Sequence, residues 1–326
     1  MKNFEFASPT TKKAAVGLLE NDAVVLAGGT DLLSQLKDSL VSPGRVVNIK
    51  EIRELQGIEF DPSRGLQLGA LVTFAELIGN RTVREEYPSL VQAAEGVSSP
   101  QIQNMGTVGG DLCQRPRCWY YRNGFGLLAM KDGQSMVKAG DNRYHAILGN
   151  SGPACFVNPS SLAPALIALG ATLQIFTANG ERTTSIEDFF QIPASEGEKE
   201  YDLNDREILT GILVPPRGEK ISAVYEVRQR EALDWPLSAA AVAMEVKEQQ
   251  ITSARVVLGH VAPIPWLSSA AAEALVGKAL TEETAAAAGL AAVQEAVPLS
   301  HNQHKVRQAR VAVQRAVLRA AGMEVS

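Results

Sequence analysis

Apolar positions change period several times along the chain, and each change marks an element. Val24-Val25-Leu26 is a short apolar run that enters Ala27-Gly28-Gly29-Thr30-Asp31 and resumes at Leu32-Leu33, the pattern of a strand feeding a helix through a glycine turn. Ahead of it, Ser8-Pro9-Thr10-Thr11 followed by Ala14, Ala15, Val16, Leu18 and Leu19 predicts a capped helix with proline in its first turn. Behind it, a helix to roughly Leu40 and a strand over 45–49 complete a small βαβ unit with a parallel pair. Residues 66–74 alternate as a strand, and 82–94 read as one helix ending at Gly96.

No period lasts through 112–150, where Trp119, Tyr120 and Tyr121 stand among arginines; a long loop of this kind is functional or packed. Order returns at 158–170 with a serine-capped helix closed by Gly170, then a strand over 171–177, a hairpin turn at Asn179-Gly180 and a short helix over 185–190. Residues 192–205 are polar enough for an exposed connection, and a domain boundary falls near 180–205. Strands are expected at 207–214, 223–230, 239–246 and 251–259, then helices at 268–276, 281–296 and 303–321. Strands first and helices after describe a separate α+β domain.

Composition adds exclusions. The 326 residues are 45% hydrophobic and 21% charged, with formal net charge −5, so a basic footprint for nucleic acid or anionic membrane is missing. Neither a signal peptide nor a span of membrane length is visible, which points to a cytoplasmic chain unless a partner carries an export signal. Three cysteines, Cys113, Cys118 and Cys155, argue against a disulfide framework.

Candidate chemistry lies in two glycine turns. The second, Gly106-Thr107-Val108-Gly109-Gly110-Asp111, follows Ser98-Ser99-Pro100 and repeats the hydroxyl and carboxylate of the first. Glycine permits positive φ and leaves room for backbone N–H groups to surround an anion, so the pair suggests one ligand with two phosphates between two subdomains. Neither turn reads G-x-G-x-x-G or ends in the Lys-Ser/Thr of a P-loop, which argues against a Rossmann domain and a nucleoside triphosphatase.

In order and spacing these motifs resemble the FAD-binding, or medium, subunit of the molybdenum hydroxylases, the family of xanthine dehydrogenase, carbon monoxide dehydrogenase and aldehyde oxidoreductase. Ala27-Gly28-Gly29-Thr30-Asp31 and Thr107-Val108-Gly109-Gly110-Asp111 are similar to its two FAD loops; Asn158-Pro159-Ser160-Ser161, Glu207-Ile208-Leu209 and Leu258-Gly259-His260-Val261-Ala262-Pro263 also match its text. The resemblance implies an α+β chain: a p-cresol methylhydroxylase-type FAD domain over 1–180, in subdomains of about 1–55 and 56–180, then a C-terminal flavoprotein domain over 181–326. It implies FAD held by Ala27, Gly28, Gly29, Thr30, Asp31, Leu32, Ser98, Thr107, Val108, Gly109, Gly110, Asp111 and Ser161. It further implies a molybdopterin-binding large subunit and an iron–sulfur small subunit as partners, with electrons passed to an acceptor the sequence does not name. A self-contained flavin oxidase and a scaffold that has lost FAD are the alternatives.

There are departures. Most relatives have aspartate where this chain has Ser161, leaving that residue a flavin contact or a helix cap. Some members bind a four-iron cluster in the loop after the second glycine motif; Cys118 and Cys155 fall near its outer ligand positions, but the two middle cysteines are missing. The loop is expected to pack against FAD or a partner without a cluster. Trp119, Tyr120, Tyr121 and Tyr144 wall the flavin ring or simply pack, and Arg228, Arg230 and Asp234 lie at the flavin edge or form ion pairs. His301 and His304 read as a solvated face.

Overall fold

A computed structural model describes residues 1–20 and 22–324. The chain opens with β1 (Glu5–Ala7), α1 (Lys12–Leu18), β2 (Ala23–Leu26), α2 (Leu32–Lys37) and β3 (Arg45–Asn48). The three strands form a parallel sheet in the order β1-β3-β2, with Val24 opposite Val46 and Val25 opposite Val47. Strand β1 is an addition to the expected pair. The Thr11 hydroxyl caps α1 by accepting from the Ala14 N–H at 3.2 Å, so Pro9 lies ahead of the helix and not in its first turn. Helix α2 stops at Lys37, short of the expected Leu40, because Ser39 turns to φ +57° and the Leu40 N–H reaches back to the Gln35 carbonyl.

β4 (Ile58–Asp61) and β5 (Gly65–Gly69) form a hairpin, followed by α3 (Phe74–Gly79), α4 (Arg81–Glu86), α5 (Pro88–Glu95), α6 (Pro100–Met105) and α7 (Val108–Leu112). The helix read over 82–94 is two helices. Pro88 disfavours helical geometry at Tyr87, which takes φ −133° and ψ 60° and buries its ring, donating its hydroxyl to the Pro215 carbonyl at 3.0 Å. The irregular region contains α8 (Trp119–Arg122), a small hairpin of β6 (Met130–Lys131) and β7 (Gln134–Ser135), and α9 (Met136–Ala139).

Next come α10 (Ala163–Leu169), terminated by Gly170 at φ +77°, the expected hairpin of β8 (Thr172–Thr177) and β9 (Gly180–Ser185), α11 (Ile186–Phe189) and β10 (Glu207–Val214). Strand β10 does not join the strands of the last third. It runs antiparallel between β5 and β8 in a sheet ordered β4-β5-β10-β8-β9, with Ile212 opposite both Leu68 and Leu173. Burial along nearly all of its length fits this central place.

β11 (Lys220–Val227), β12 (Ser238–Lys247), β13 (Gln250–Gly259) and β14 (Trp266–Leu267) make the third sheet, covered by α12 (Ser269–Leu275), α13 (Glu282–Ala291) and α14 (His304–Ala320). β12 is buried on both faces. Ala240, Val242 and Met244 pack with Ala312, Val313 and Ala316 of α14, while Ala241 and Ala243 join Leu166 and Ile167 of α10. Alternation along one alanine-rich strand thus joins the C-terminal layer to the sheet-and-helix layer before it.

Candidate functional site

The first glycine turn leaves β2 and enters α2. Gly29 has φ +77°, a backbone state that favours glycine, whereas Gly28 is required for contact: a Cβ there would stand 1.8 Å from the Met105 carbonyl oxygen. The two turns therefore touch. Among the described residues, the N–H groups of Gly28, Gly29, Thr30 and Asp31 make no hydrogen bond, and all four residues line a cavity of about 340 Å3 together with Ala27 and Leu32.

The second turn is built differently. Val108 N–H bonds the Val72 carbonyl at 2.8 Å and Gly109 N–H the Ala70 carbonyl at 2.9 Å. Gly110 N–H bonds the Thr107 hydroxyl oxygen at 3.1 Å, and Asp111 N–H the Thr107 carbonyl at 2.8 Å. These amides are committed inside the protein, which corrects the expectation that both turns present N–H groups to an anion. Neither Gly109 nor Gly110 has positive φ; Gly109 is needed because a Cβ would meet the Ala70 Cβ at 2.8 Å. At Gly110, likewise, a Cβ would stand 2.8 Å from the Thr107 hydroxyl oxygen, so both glycines serve close packing inside the turn.

Thr107, Gly109 and Gly110 line the same cavity as the first turn. Thr30, Thr107, Gly110 and Gln114 also line a second cavity of about 250 Å3, with Ser98, Asp111 and Ser161. The two are arms of one cleft meeting at the turns. Val108 is the exception among the sequence candidates, with its side chain fully buried in the core and outside both arms.

Both aspartates are occupied by protein groups. Asp31 does not cap α2 with its side chain; it accepts from Arg115 N–H and the Arg122 guanidinium, both at 2.8 Å, and from Gln35 at 2.9 Å, with Arg117 at 3.2 Å. Two cations thus offset a carboxylate that would otherwise repel an anion, and the 115–122 loop is held against the first turn. Asp111 is buried, accepts from the Ser160 hydroxyl and from Leu162 N–H at 3.0 Å and Ser161 N–H at 3.2 Å, and so orders the approach to α10. Burial raises its pKa above the usual carboxylate range against the pull of these bonds. Ser98 accepts from the Leu233 N–H at 2.8 Å, tying the second arm to the C-terminal domain.

Sequence reasoning missed one wall of the first arm. Residues 192–205, expected as an exposed connection, supply Lys199, Tyr201, Leu203, Asn204 and Asp205. Tyr201 stacks on Phe189 with ring centroids 5.6 Å apart, and the buried Glu200 pairs with Arg115. The available signal was an aromatic inside a polar run. Arg228, which pairs with Glu226, lines the second arm beside Asp234 and Trp235.

The three cysteines separate. Cys113 lines the first arm, where burial pushes its thiol up to about 12; Cys155 lies buried beside Ala129 and Val137; Cys118 places Sγ 3.1 Å from Nε2 of His145. Among the described residues no three His, Cys, Asp or Glu side chains converge as metal ligands. Trp119 and Tyr144 pack edge-on at 5.5 Å and line a third cavity, while Tyr121 is buried under the Arg115 and Arg122 guanidiniums. His301 and His304 are exposed.

Known proteins resemble this chain in sequence and fold. A family model described as the FAD binding domain in molybdopterin dehydrogenase matches residues 2–217, and one described as the CO dehydrogenase flavoprotein C-terminal domain matches 223–320. The chain is 29% identical to the carbon monoxide dehydrogenase medium chain of Hydrogenophaga pseudoflava, over 89% of this chain and 86% of that one. It is 30% identical to the aldehyde oxidoreductase FAD-binding subunit PaoB of Escherichia coli (strain K12), over 76% and 78%. A solved carbon monoxide dehydrogenase from Hydrogenophaga pseudoflava superposes with a TM-score of 0.77 at 27% identity, covering 98% of each chain. With most of its length matched by the first model and nearly all the remainder by the second, the chain belongs to the FAD-binding flavoprotein subunits of the molybdenum hydroxylase family, and its cofactor is FAD.

Proposed function

We propose that this chain is the electron-relay subunit of a heteromeric molybdenum hydroxylase. It takes electrons from iron–sulfur clusters of a small subunit, themselves reduced from a molybdopterin-binding large subunit, and passes them to an external acceptor. The observation that carries this reading is the row of four unbonded N–H groups from Gly28 to Asp31, facing a cleft shared with the second glycine turn.

The residues present fit FAD. An extended molecule with a diphosphate at its middle suits a cleft with two arms that meet at an anion-binding turn. In this reading the Gly28–Asp31 amides and the Thr30 and Thr107 hydroxyls hold the diphosphate, while Gly109 and Gly110 form the wall beside it. Asp31, already paired with arginines, orders the loop over the turn without adding net repulsion. Asp111 acts one step back by ordering Ser160, Ser161 and Leu162, and Ser98 and Ser161 supply polar groups to the second arm. When bound, FAD supplies the redox chemistry, and the protein contributes binding, orientation and electrostatics.

We place the division between the domains after β10, in the interval between the two family matches at 217 and 223, and not at 180. Among the described residues no helix is long and apolar enough to cross a membrane, and we assign the complex to the cytoplasm.

The test is purification of the native complex with flavin, molybdenum and iron analysis, followed by anaerobic reduction by its substrate. Flavin on this chain, metals on co-purifying partners and flavin bleaching that requires those partners support the relay. Bleaching of the isolated chain by a small substrate favours a self-contained oxidase, and failure to retain FAD under any reconstitution favours a scaffold.

A further inference from the structure

Glu226, near the end of β11, and Arg228, just beyond it, form an ion pair beside the second arm of the cleft, with side chains 10% and 12% exposed. The Arg228 Nε donates to Glu226 Oε2 at 3.0 Å, and Nη2 bonds the same oxygen and the Gly96 carbonyl. Gly96 makes the room for this pair. Its φ of −57° suits any residue, but a Cβ would stand 2.5 Å from Glu226 Oε2 and 2.9 Å from Arg228 Nη2. Nη1 is left over. It has no hydrogen-bond partner among the described residues and is not one of their buried unpartnered atoms, so it stays open to the cavity that Arg228 lines. That cavity is the second arm and neither of the other two.

The pair has a direction. Arg228 lines the arm, whereas Glu226 does not and keeps Oε1 buried and unpartnered. The charged groups that face the carboxylate are Arg228, Asp111 of α7 and Arg319 of α14; burial, helped by Asp111, raises its pKa above the ordinary range against the pull of the two guanidiniums. Arg228 is charged at any working pH. The arm therefore meets the positive end of a dipole, and more of that charge once Glu226 takes up a proton. Arg117, the other guanidinium on this lining, is engaged by Asp31 at 3.2 Å and lies over the Trp235 ring at 4.9 Å.

The two arms differ in chemistry. Gln35, Asn204, Asp205 and Glu207 give the first arm hydrogen-bonding side chains, which suit the amine, ring nitrogens and ribose hydroxyls of adenosine. Phe74, Ile102, Trp235 and Pro236 bring apolar surface into the same arm as Arg228. A flavin ring has the matching division, with an apolar dimethylbenzene edge and a pyrimidine edge that carries two carbonyls.

We propose that the flavin ring lies in the second arm and that the Arg228–Glu226 pair, guanidinium toward the ring, sets the reduction potential of the cofactor. Two electrons and one proton entering a flavin leave one added negative charge, which a guanidinium in a sheltered cleft stabilises over the oxidised form. The inference rests on FAD occupying the cleft and deepens that reading by naming the residues that tune the cofactor; it holds whichever partner supplies the electrons.

Reductive titration of the FAD-loaded chain with dithionite, against a dye of known potential, tests it. Arg228→Met should weaken binding of reduced relative to oxidised FAD about tenfold, which lowers the two-electron midpoint by about 30 mV. Arg228→Lys, which keeps the charge, should restore most of that shift. Glu226→Gln should move the midpoint upward, and the gap from the natural chain should widen with rising pH as the natural carboxyl ionises. Arg228→Met strands Glu226 without its partner, so Arg228→Met with Glu226→Gln removes both charges and gives the same downward shift should the single variant unfold. Asp111 and Asp234, carboxylates on the same lining, stay in place in each variant, so the shifts belong to the pair. An unchanged midpoint with FAD bound, shifts of one sign in Arg228→Met and Glu226→Gln, or equal weakening of both redox forms would each overturn the assignment, the last placing the adenosine end in this arm. Dithionite needs no partner subunit, so these outcomes are distinct from a failure of the relay, which partner-dependent bleaching reads.

Discussion

The turn after β2 and the turn that opens α7 share a glycine pair, a threonine and an aspartate, yet they direct their amides oppositely. The first leaves four N–H groups unbonded beside the cleft, while the second ties the amides of Val108, Gly109, Gly110 and Asp111 to its own subdomain. In the proposed reading one is a binding surface and the other a wall behind it. They are coupled where Gly28 lies against the Met105 carbonyl. Glycine thus serves open amides and positive φ in one place and close approach of backbones in the other.

The largest test of that division is Gly28→Ala. Its Cβ would overlap a backbone oxygen at 1.8 Å, and neither turn can yield cheaply. Separating the turns should weaken FAD binding by about 100-fold or more, measured as flavin-to-protein ratio and Kd, with the far-ultraviolet spectrum of a folded chain.

Asp111→Ala comes next. It strips an acceptor from Ser161 N–H, Leu162 N–H and the Ser160 hydroxyl in the interior, and should lower unfolding free energy by about 2–4 kcal/mol in urea titrations. Asp111→Asn sharpens the reading through pH. Because burial places the folded pKa above the unfolded 3.8, this group's contribution is complete below that value and is lost as pH rises through the folded pKa. The asparagine variant should remove that acid-side gain from the stability profile; an unchanged profile would show the carboxylate to be unperturbed.

Gly109→Ala should lower stability by about 1–3 kcal/mol through its clash with Ala70 while changing flavin affinity little once the chain is folded. A selective loss of FAD in this variant would break the contrast between the turns. Smallest is Thr107→Val, which removes the acceptor for Gly110 N–H and the hydroxyl in the cleft; about 1 kcal/mol should appear in both stability and FAD binding.

Local chemistry made much of this legible. Thr11, Ser185, Ser268 and Thr281 each cap the helix predicted after them, and the predicted hairpin forms with Ala178 and Asn179 as its loop, one place ahead of the expected Asn179-Gly180, because Gly180 pairs with Thr177. The glycine motifs led to two turns that line one cleft, because a paired glycine beside hydroxyls is a local demand on the backbone. Their opposite hydrogen bonding was not legible, since Val108 and Gly109 find acceptors in Val72 and Ala70, far back in the chain. Strand β10 was readable as a strand but not as a member of its sheet: an eight-residue, mostly apolar segment suits any central position, and its partners are chosen by distant contacts. The 199–205 wall was hidden for a related reason, as Glu200 is buried against Arg115 and Asp202 is held by Arg182, both distant in the chain.

The position of β10 also sets an order of events during synthesis. Until residues 207–214 leave the ribosome, β4–β5 and β8–β9 are separate two-stranded ribbons, which have little stability alone. The nascent polypeptide can therefore close its middle sheet only after both glycine turns have long emerged. Cofactor loading then follows the arrival of this late strand, and a polypeptide interrupted before Val214 would remain open to proteases.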